Sequence, residues 1–242
     1  MVAGRNICIA IDGEAAAGKS TLGRLLAERL GYLYFDTGVM YRAVTWVALQ
    51  RGIDLADEAA VAGLAVALRI EVTSPTCSDG RGYTVYADGE DVTWAIRDPA
   101  VDRYVSVVAA YAEVRRILRE QQRAIGQSRN VVMVGRDIGT AVMPDADVKI
   151  YLRASPAERA RRRTAELQAR GESVTYEDVL TSMQTRDYTD SHRAVHPLRP
   201  AEDAVIVDTD SASPQEVLER VLAIVHERIE RAPSPGSVPQ PS

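Results

Sequence analysis

Residues 13–21 read Gly-Glu-Ala-Ala-Ala-Gly-Lys-Ser-Thr and fit G-x-x-x-x-G-K-[ST], the phosphate-binding loop. The apolar run Ile7–Ile11 precedes it and predicts a buried strand. Lys19–Leu30 follows, with Leu22, Leu25, Leu26 and Leu30 on one helical stripe. Strand, glycine-rich turn and helix in that order are the context the motif requires. Glycines let successive backbone N–H groups curl around a phosphate, and the following helix points its positive end at it. In such a loop Gly13, Glu14, Ala15, Ala16, Ala17, Gly18, Lys19, Ser20 and Thr21 are the candidate ATP-binding residues. Lys19 reaches the β- and γ-phosphates, and the Ser20 hydroxyl is a candidate Mg²⁺ ligand. Only one other lysine, Lys149, occurs in the chain, so a chance match is rarer still.

Other classes are disfavoured by composition. The chain of 242 residues is 46% hydrophobic and 26% charged, long enough for one domain with a sizeable core or two small ones. A formal net charge of −5 argues against nucleic-acid binding through bulk charge. No apolar run approaches a membrane span and no signal-peptide h-region opens the chain, so the expectation is a cytoplasmic protein. Cys8 and Cys77 make neither a disulfide framework nor a zinc site. Arginine outnumbers lysine 27 to 2, so a lone arginine carries little information and one at a motif spacing carries more.

Along the chain, Gly31 is a C-cap and Tyr32–Phe35 a short strand. Asp36-Thr37-Gly38 turns into a helix near Val39–Arg51, and Asp57 caps a third helix to about Leu68. This βαβα alternation predicts a parallel α/β sheet. The pattern breaks near residue 70, where alternating runs and an Asp88-Gly89 hairpin signal predict a small antiparallel sheet to about residue 93. Helix resumes from Pro99 to Gln127 with a break near Tyr111. Val131–Val134 reads as a central parallel strand, Val148–Leu152 as the next and Ala204–Val207 as a fifth. Helices are predicted from Pro156, over Tyr176–Tyr188 and over Pro214–Arg231, and the Pro- and Ser-rich stretch 232–242 as a disordered tail.

Five further signals sit where phosphate transfer needs them, each beside a plainer reading. Arg42, after Asp36-Thr37-Gly38, can hold a second phosphate, or be a surface arginine behind a helix cap. Gly135-Arg136-Asp137 ends a strand at the sheet edge where α/β proteins bind ligands, or is a simple turn. Arg159 and Arg163 share a helix face with Arg162 beside them, as phosphate-closing arginines or a solvated face. Arg186, Asp190 and Arg193 lie on one stripe, also the pattern of a surface ion-pair ladder. Nothing local marks Ser106 and Arg115.

Taken together and in order, IAIDGEAAAGKST, FDTGVMYRAVT, GEDVT-AIR, S-VAAY--VR, VGRDIGTAVMPDADVKIYL, ERARRR---LQ-RG and RD-TDS-RAV-PL closely resemble the bacterial cytidylate kinases of the nucleoside-monophosphate kinase family. The resemblance implies an α/β fold: a five-stranded parallel sheet with helices on both faces, a small antiparallel CMP-binding insert and an arginine-rich helical lid. Residues 1–231 would form one kinase domain, with core at about 1–66, 130–155 and 200–231, insert at about 67–110 and lid at about 156–173. It implies γ-phosphoryl transfer from MgATP to CMP or dCMP by a monomer, with no nucleic-acid or membrane partner. Thr37, Tyr41, Arg42, Arg136 and Arg193 would hold the CMP phosphate or line its pocket. Ser106, Arg115 and Asp137 would read cytosine, and Arg186 and Asp190 the ribose. Lys19, Arg136, Arg159, Arg162 and Arg193 would carry the transfer, with Arg159 and Arg162 acting from the lid on the ATP phosphates. Three positions depart from or vary within the family pattern. Glu14 replaces a usual proline and adds negative charge beside the phosphates, with little effect if it faces solvent; Thr37 keeps the hydroxyl of an alternative serine; His192 stands where asparagine is common. A kinase of another small acceptor and a GTP switch are the rivals, the latter lacking its Asn-Lys-x-Asp motif.

Overall fold

In the computed structural model, which describes residues 6–192 and 195–231, β1 (Cys8–Gly13) is buried along its whole length. It lies at the centre of a parallel five-stranded sheet with β2 (Leu33–Asp36), β6 (Val131–Val134), β7 (Val148–Arg153) and β8 (Val205–Asp208), in the order β2-β6-β1-β7-β8. The register aligns Ile11 with Val134 and Gly13 with Leu152. A strand buried on both faces needs apolar residues throughout, which is why Val131–Val134 reads as a continuous run rather than an alternation.

Two neighbouring residues of β6 show how the sheet is covered. Gly23 of α1 (Lys19–Leu30) sits against Val134, while Gly126 of α5 (Ala112–Ser128) sits against Met133. Successive strand side chains point to opposite faces, so α1 and α5 cover opposite faces. Helix α8 (Pro214–Arg231) packs beside α1. Between these come α2 (Gly38–Gln50), α3 (Glu58–Ala67), capped by Asp57, and the antiparallel sheet of β3 (Ile70–Thr73), β4 (Thr84–Ala87) and β5 (Glu90–Asp91). Asp88 and Gly89 take left-handed φ values of 50° and 85° in its two-residue turn, as the sequence predicts. Helix α4 (Pro99–Val108) returns the chain across α2. Helices α6 (Pro156–Ala169) and α7 (Tyr176–His192) form a hairpin with its own small apolar cluster.

Two elements differ from the sequence reading. Helix α7 continues past Tyr188 to His192, because Thr189-Asp190-Ser191 contains no breaker and the Ser191 hydroxyl bonds back to the Asp187 carbonyl. After Asp137 the chain forms a single π-helical turn, Ile138–Val142, that no periodicity announces. Its first N–H groups, from Ile138 and Gly139, donate to the two carboxylate oxygens of Asp12 at 2.8 and 2.7 Å. Arg123 of α5 closes its far end by donating to the carbonyls of Ala141 and Val142. The 232–242 segment lies outside the described residues. Among the described residues, no helix is long and apolar enough to cross a membrane.

A methyl group at position 23 would lie 2.5 Å from Val134 Cγ2 and 3.0 Å from the Tyr34 ring. Alanine favours helix by about 1 kcal/mol, but overpacking against a β-branched neighbour costs about 1–3 kcal/mol. Gly23→Ala should therefore lower the denaturant midpoint; an unchanged or higher midpoint would mean α1 can move off the sheet freely.

Burial pushes the Asp12 carboxyl up to about 6, with nearby Asp137 adding to the shift and the two N–H donors and Lys19 opposing it. A carboxyl raised in the native state holds its proton there over a range in which the unfolded chain has lost it, so stability falls as pH rises through that range. In nucleotide-free protein, raising pH from about 4 to about 6 should shift the unfolding free energy of Asp12→Asn relative to wild type in the variant's favour by about 2 kcal/mol. A pH-independent gap would mean that Asp12 ionises as it does in water.

Candidate active site

The phosphate loop leaves β1 at Gly13, whose φ is +144°. A Cβ there would lie 2.3 Å from the Leu152 carbonyl oxygen, a backbone atom that cannot step aside. Gly18 caps α1 in a left-handed conformation without a side-chain hydrogen bond, so no side chain competes for the donors that start the helix. Lys19 Nζ donates to the Glu14 carbonyl at 2.5 Å, bending its side chain back over the loop. Glu14 does not face solvent: it is half-buried, and its Oε2 is buried with no hydrogen-bond partner among the described residues.

Ser20 Oγ lies 3.5 Å from Asp36 Oδ2, while Asp36 Oδ1 accepts from the Gly38 N–H at 3.0 Å. The sequence reading took Asp36 as a helix cap only. In the structure Thr37 holds the cap position of α2 and Asp36, one residue earlier, accepts from the first helical N–H, while its second oxygen makes with Ser20 a pair of hard oxygen ligands at the loop. That donor set fits Mg²⁺. Each Asp12 oxygen meanwhile accepts a backbone N–H, from Ile138 and Gly139.

Opposite the loop lie the acceptor-side candidates. Arg115 and Asp137 are both buried and paired at 2.6 Å, and the guanidinium also donates to the Ala109 carbonyl at 3.2 Å. Its carbon lies 5.7 Å from the centre of the Tyr41 ring, which is itself buried. Arg136 Nη1 donates to the Gly13 carbonyl at 2.9 Å, and its Nε pairs with Asp190 at 3.1 Å. One side chain thus ties the start of the phosphate loop to α7. Arg42 donates to the Ile96 carbonyl at 3.1 Å and pairs with Asp102. Thr37 is buried and its hydroxyl donates to the Val134 carbonyl at 3.0 Å, fastening the turn after β2 to β6. Ser106 is exposed on α4 and joins none of these groups by a hydrogen bond. Arg193 lies outside the described residues.

The two α6 arginines point in different directions. Arg159 is buried; its Nη1 reaches the Ala15 carbonyl of the phosphate loop at 3.3 Å and Asp187 of α7 at 2.5 Å. Arg162 instead pairs with Glu158 and donates to the Thr209 hydroxyl and carbonyl at 3.1 and 2.5 Å. Thr209 in turn touches the Ala17 carbonyl, at 3.3 Å, so Arg162 approaches the loop through Thr209. Arg163, on the same helix face as Arg159, pairs with Glu166.

The electrostatics mark the cleft between these groups. Burial, then Arg136 and Arg186, holds the Lys19 ammonium well below its ordinary pKa. Arg186 is open to water at its surface but crowded by protein, and lost hydration followed by Arg136 lowers its pKa too. Cations that depress one another's proton affinity are the signature of a site built for a polyanion. Sequence reasoning singled out these cations but missed the carboxylates Asp12, Asp102 and Asp187; only Asp12, next to Gly13, carried any positional signal.

The cytidylate kinase family model matches residues 9–227. A cytidylate kinase of Chloroflexus aggregans is 58% identical over 88% of this chain and 91% of its own length. One of Herpetosiphon aurantiacus is 54% identical over 90% and 93%. An uncharacterized protein from Eubacterium ventriosum has the same fold, with a TM-score of 0.51 at 13% identity over 92% of this chain and 99% of that one. With a phosphate loop, a facing cationic cleft and this degree of identity along nearly the whole chain, the protein belongs to the cytidylate kinase family.

Proposed function

We propose that the chain transfers the γ-phosphoryl group of MgATP to CMP or dCMP, giving ADP and CDP or dCDP, as a monomer acting in cytoplasmic pyrimidine nucleotide metabolism. The observation that carries this reading is the convergence of cations on the phosphate loop of a cytidylate kinase family chain: Arg136 reaches the Gly13 carbonyl, and Arg136 and Arg186 add to burial in lowering the Lys19 pKa. Two anionic nucleotides meeting there relieve the repulsion among these cations. The catalytic core spans about residues 1–66, 130–155 and 200–231, the CMP-binding insert about 67–110 and the lid about 156–173, within one domain.

On the donor side, the loop N–H groups and the start of α1 cradle the ATP phosphates, and Lys19 exchanges the Glu14 carbonyl for them. Ser20 and Asp36 would hold Mg²⁺, which neutralises phosphate charge when bound. Arg159, in contact with the loop, adds charge from the lid, and Arg162 buttresses that wall through Thr209. On the acceptor side, Arg42, Arg136 and Arg193 hold the monophosphate, with Thr37 and Tyr41 lining the pocket and Arg186 and Asp190 at the ribose. No covalent intermediate is needed: in-line positioning, charge stabilisation and exclusion of water account for phosphoryl transfer.

Base choice follows from the buried Arg115–Asp137 pair, and Ser106 would add a contact to the cytosine from its exposed position on α4. A fixed carboxylate accepts from the cytosine N4 amino group and repels the O4 of uracil. Asp137 keeps Arg115 as its partner with either base, so discrimination against UMP comes from the lost N4 hydrogen bond and the repulsion between the carboxylate and O4.

A coupled assay over the nucleoside monophosphates with MgATP should find CMP and dCMP the best acceptors; a better acceptor elsewhere overturns the reading. In Asp137→Asn the preference for CMP over UMP should narrow by about tenfold or more, and an unchanged preference removes Asp137 from base reading. Lys19→Ala should lower kcat by about two orders of magnitude or more while the unfolding midpoint is retained. Near-normal turnover would exclude Lys19 from the transfer.

A further inference from the structure

Helix α7 carries Arg186 and Asp190 on one stripe, four residues apart, with Asp187 about 100° around from Arg186. Asp190 meets Arg136, whereas Asp187 meets Arg159 of α6. The carboxylate of Asp187 has no other protein hydrogen bond among the described residues: Oδ2 accepts from Arg159 Nη1 at 2.5 Å, and Oδ1 is buried without a partner. Arg159 is held at three acceptors. Its Nε donates to the Ala154 carbonyl at 3.1 Å, and its Nη1 is shared between Asp187 and the Ala15 carbonyl of the phosphate loop. Its Nη2 has no protein partner among the described residues. The guanidinium is 4% exposed, so without a counter-charge its burial would be costly.

We propose that Asp187 is a positioning residue for phosphoryl transfer: it fixes Arg159 against the phosphate loop with Nη2 left for the transferring phosphate, and so couples the acceptor-side helix to the donor-side arginine. An unrestrained arginine samples many rotamers and must be ordered at the moment of reaction. One held at Nε and Nη1 by three fixed oxygens offers its remaining donors in a single direction, which is electrostatic preorganisation. Because Asp187 follows Arg186 directly on one helix, an acceptor held at Arg186 would bear on the same turn that carries the carboxylate orienting Arg159.

This inference rests on the proposed activity, and a double-mutant cycle tests it. Asp187→Ala should lower kcat by about tenfold and weaken ATP binding severalfold, with KM for CMP within about twofold of wild type. Asp187→Asn, which keeps an acceptor for Nη1, should recover part of the loss. In an Arg159→Ala background, adding Asp187→Ala should change kcat by less than about twofold, because the carboxylate acts only through Arg159. Multiplying losses, an undiminished kcat in Asp187→Ala, or a CMP KM that rises as much as the ATP effect would overturn it. ATP affinity by calorimetry needs no acceptor and reports on the pair separately: equal affinity in wild type and Asp187→Ala counts against the inference. A wild type that phosphorylates no CMP counts against the proposed activity instead.

Discussion

Strand β1 is hydrogen-bonded on both sides, to β6 and to β7, and that double pairing sets the geometry of everything at the carboxyl edge of the sheet. Pairing with β6 brings Gly135-Arg136-Asp137 beside the phosphate loop. Pairing with β7 presses Gly13 against the Leu152 carbonyl and forces the loop to leave in a conformation that glycine alone tolerates well. Asp12 then completes the junction by holding the turn after Asp137 through two backbone N–H groups. The phosphate loop and the turn after Asp137 are thus parts of one hydrogen-bonded unit, and burial of the Asp12 carboxyl within it raises its pKa.

Around this unit, arginines are matched to aspartates: Arg115 with Asp137, Arg136 with Asp190, Arg159 with Asp187, Arg42 with Asp102. Burying a guanidinium alone is expensive, and a partner carboxylate offsets part of that cost and fixes the direction of the fork. The pairing is incomplete by design of position: Lys19 and Arg186 remain in a field of like charge. Substrates carrying several negative charges supply what the protein lacks.

The architecture was legible in the sequence because periodicity and turn chemistry agreed with the tertiary fold at most points. The five parallel strands, the antiparallel insert and the Asp88-Gly89 turn all follow from local pattern. The π-helical turn at Ile138–Val142 was not legible, since its ends are held by Asp12 and Arg123, both distant in sequence. Among site residues, Lys19 stood out through its motif, while Arg115, Arg159 and Arg186 had plainer local readings and gained their roles only from the family resemblance. Some carboxylate partners gained none, because an aspartate on a helix looks alike whether it faces water or a buried arginine. Asp187 is such a residue, as is Asp102. Glu14 could be recognised as unusual, but only its buried Oε2 shows that it does not turn outward.

The α6–α7 hairpin has a small core of its own, with Ala160, Val179 and Met183 buried and Ala15 and Ala16 of the phosphate loop packed against them. The large core of the sheet does not include these three side chains. The hairpin is therefore joined to the rest of the protein by few apolar side chains, and low local packing of this kind is where local opening costs least. What holds it down is that small cluster together with the contacts of Arg159 to Ala15, Arg162 to Thr209 and Asp190 to Arg136. Turnover can then draw on a weakly held roof above a strongly held floor, and nucleotide exchange need not disturb the strands that align the reacting groups.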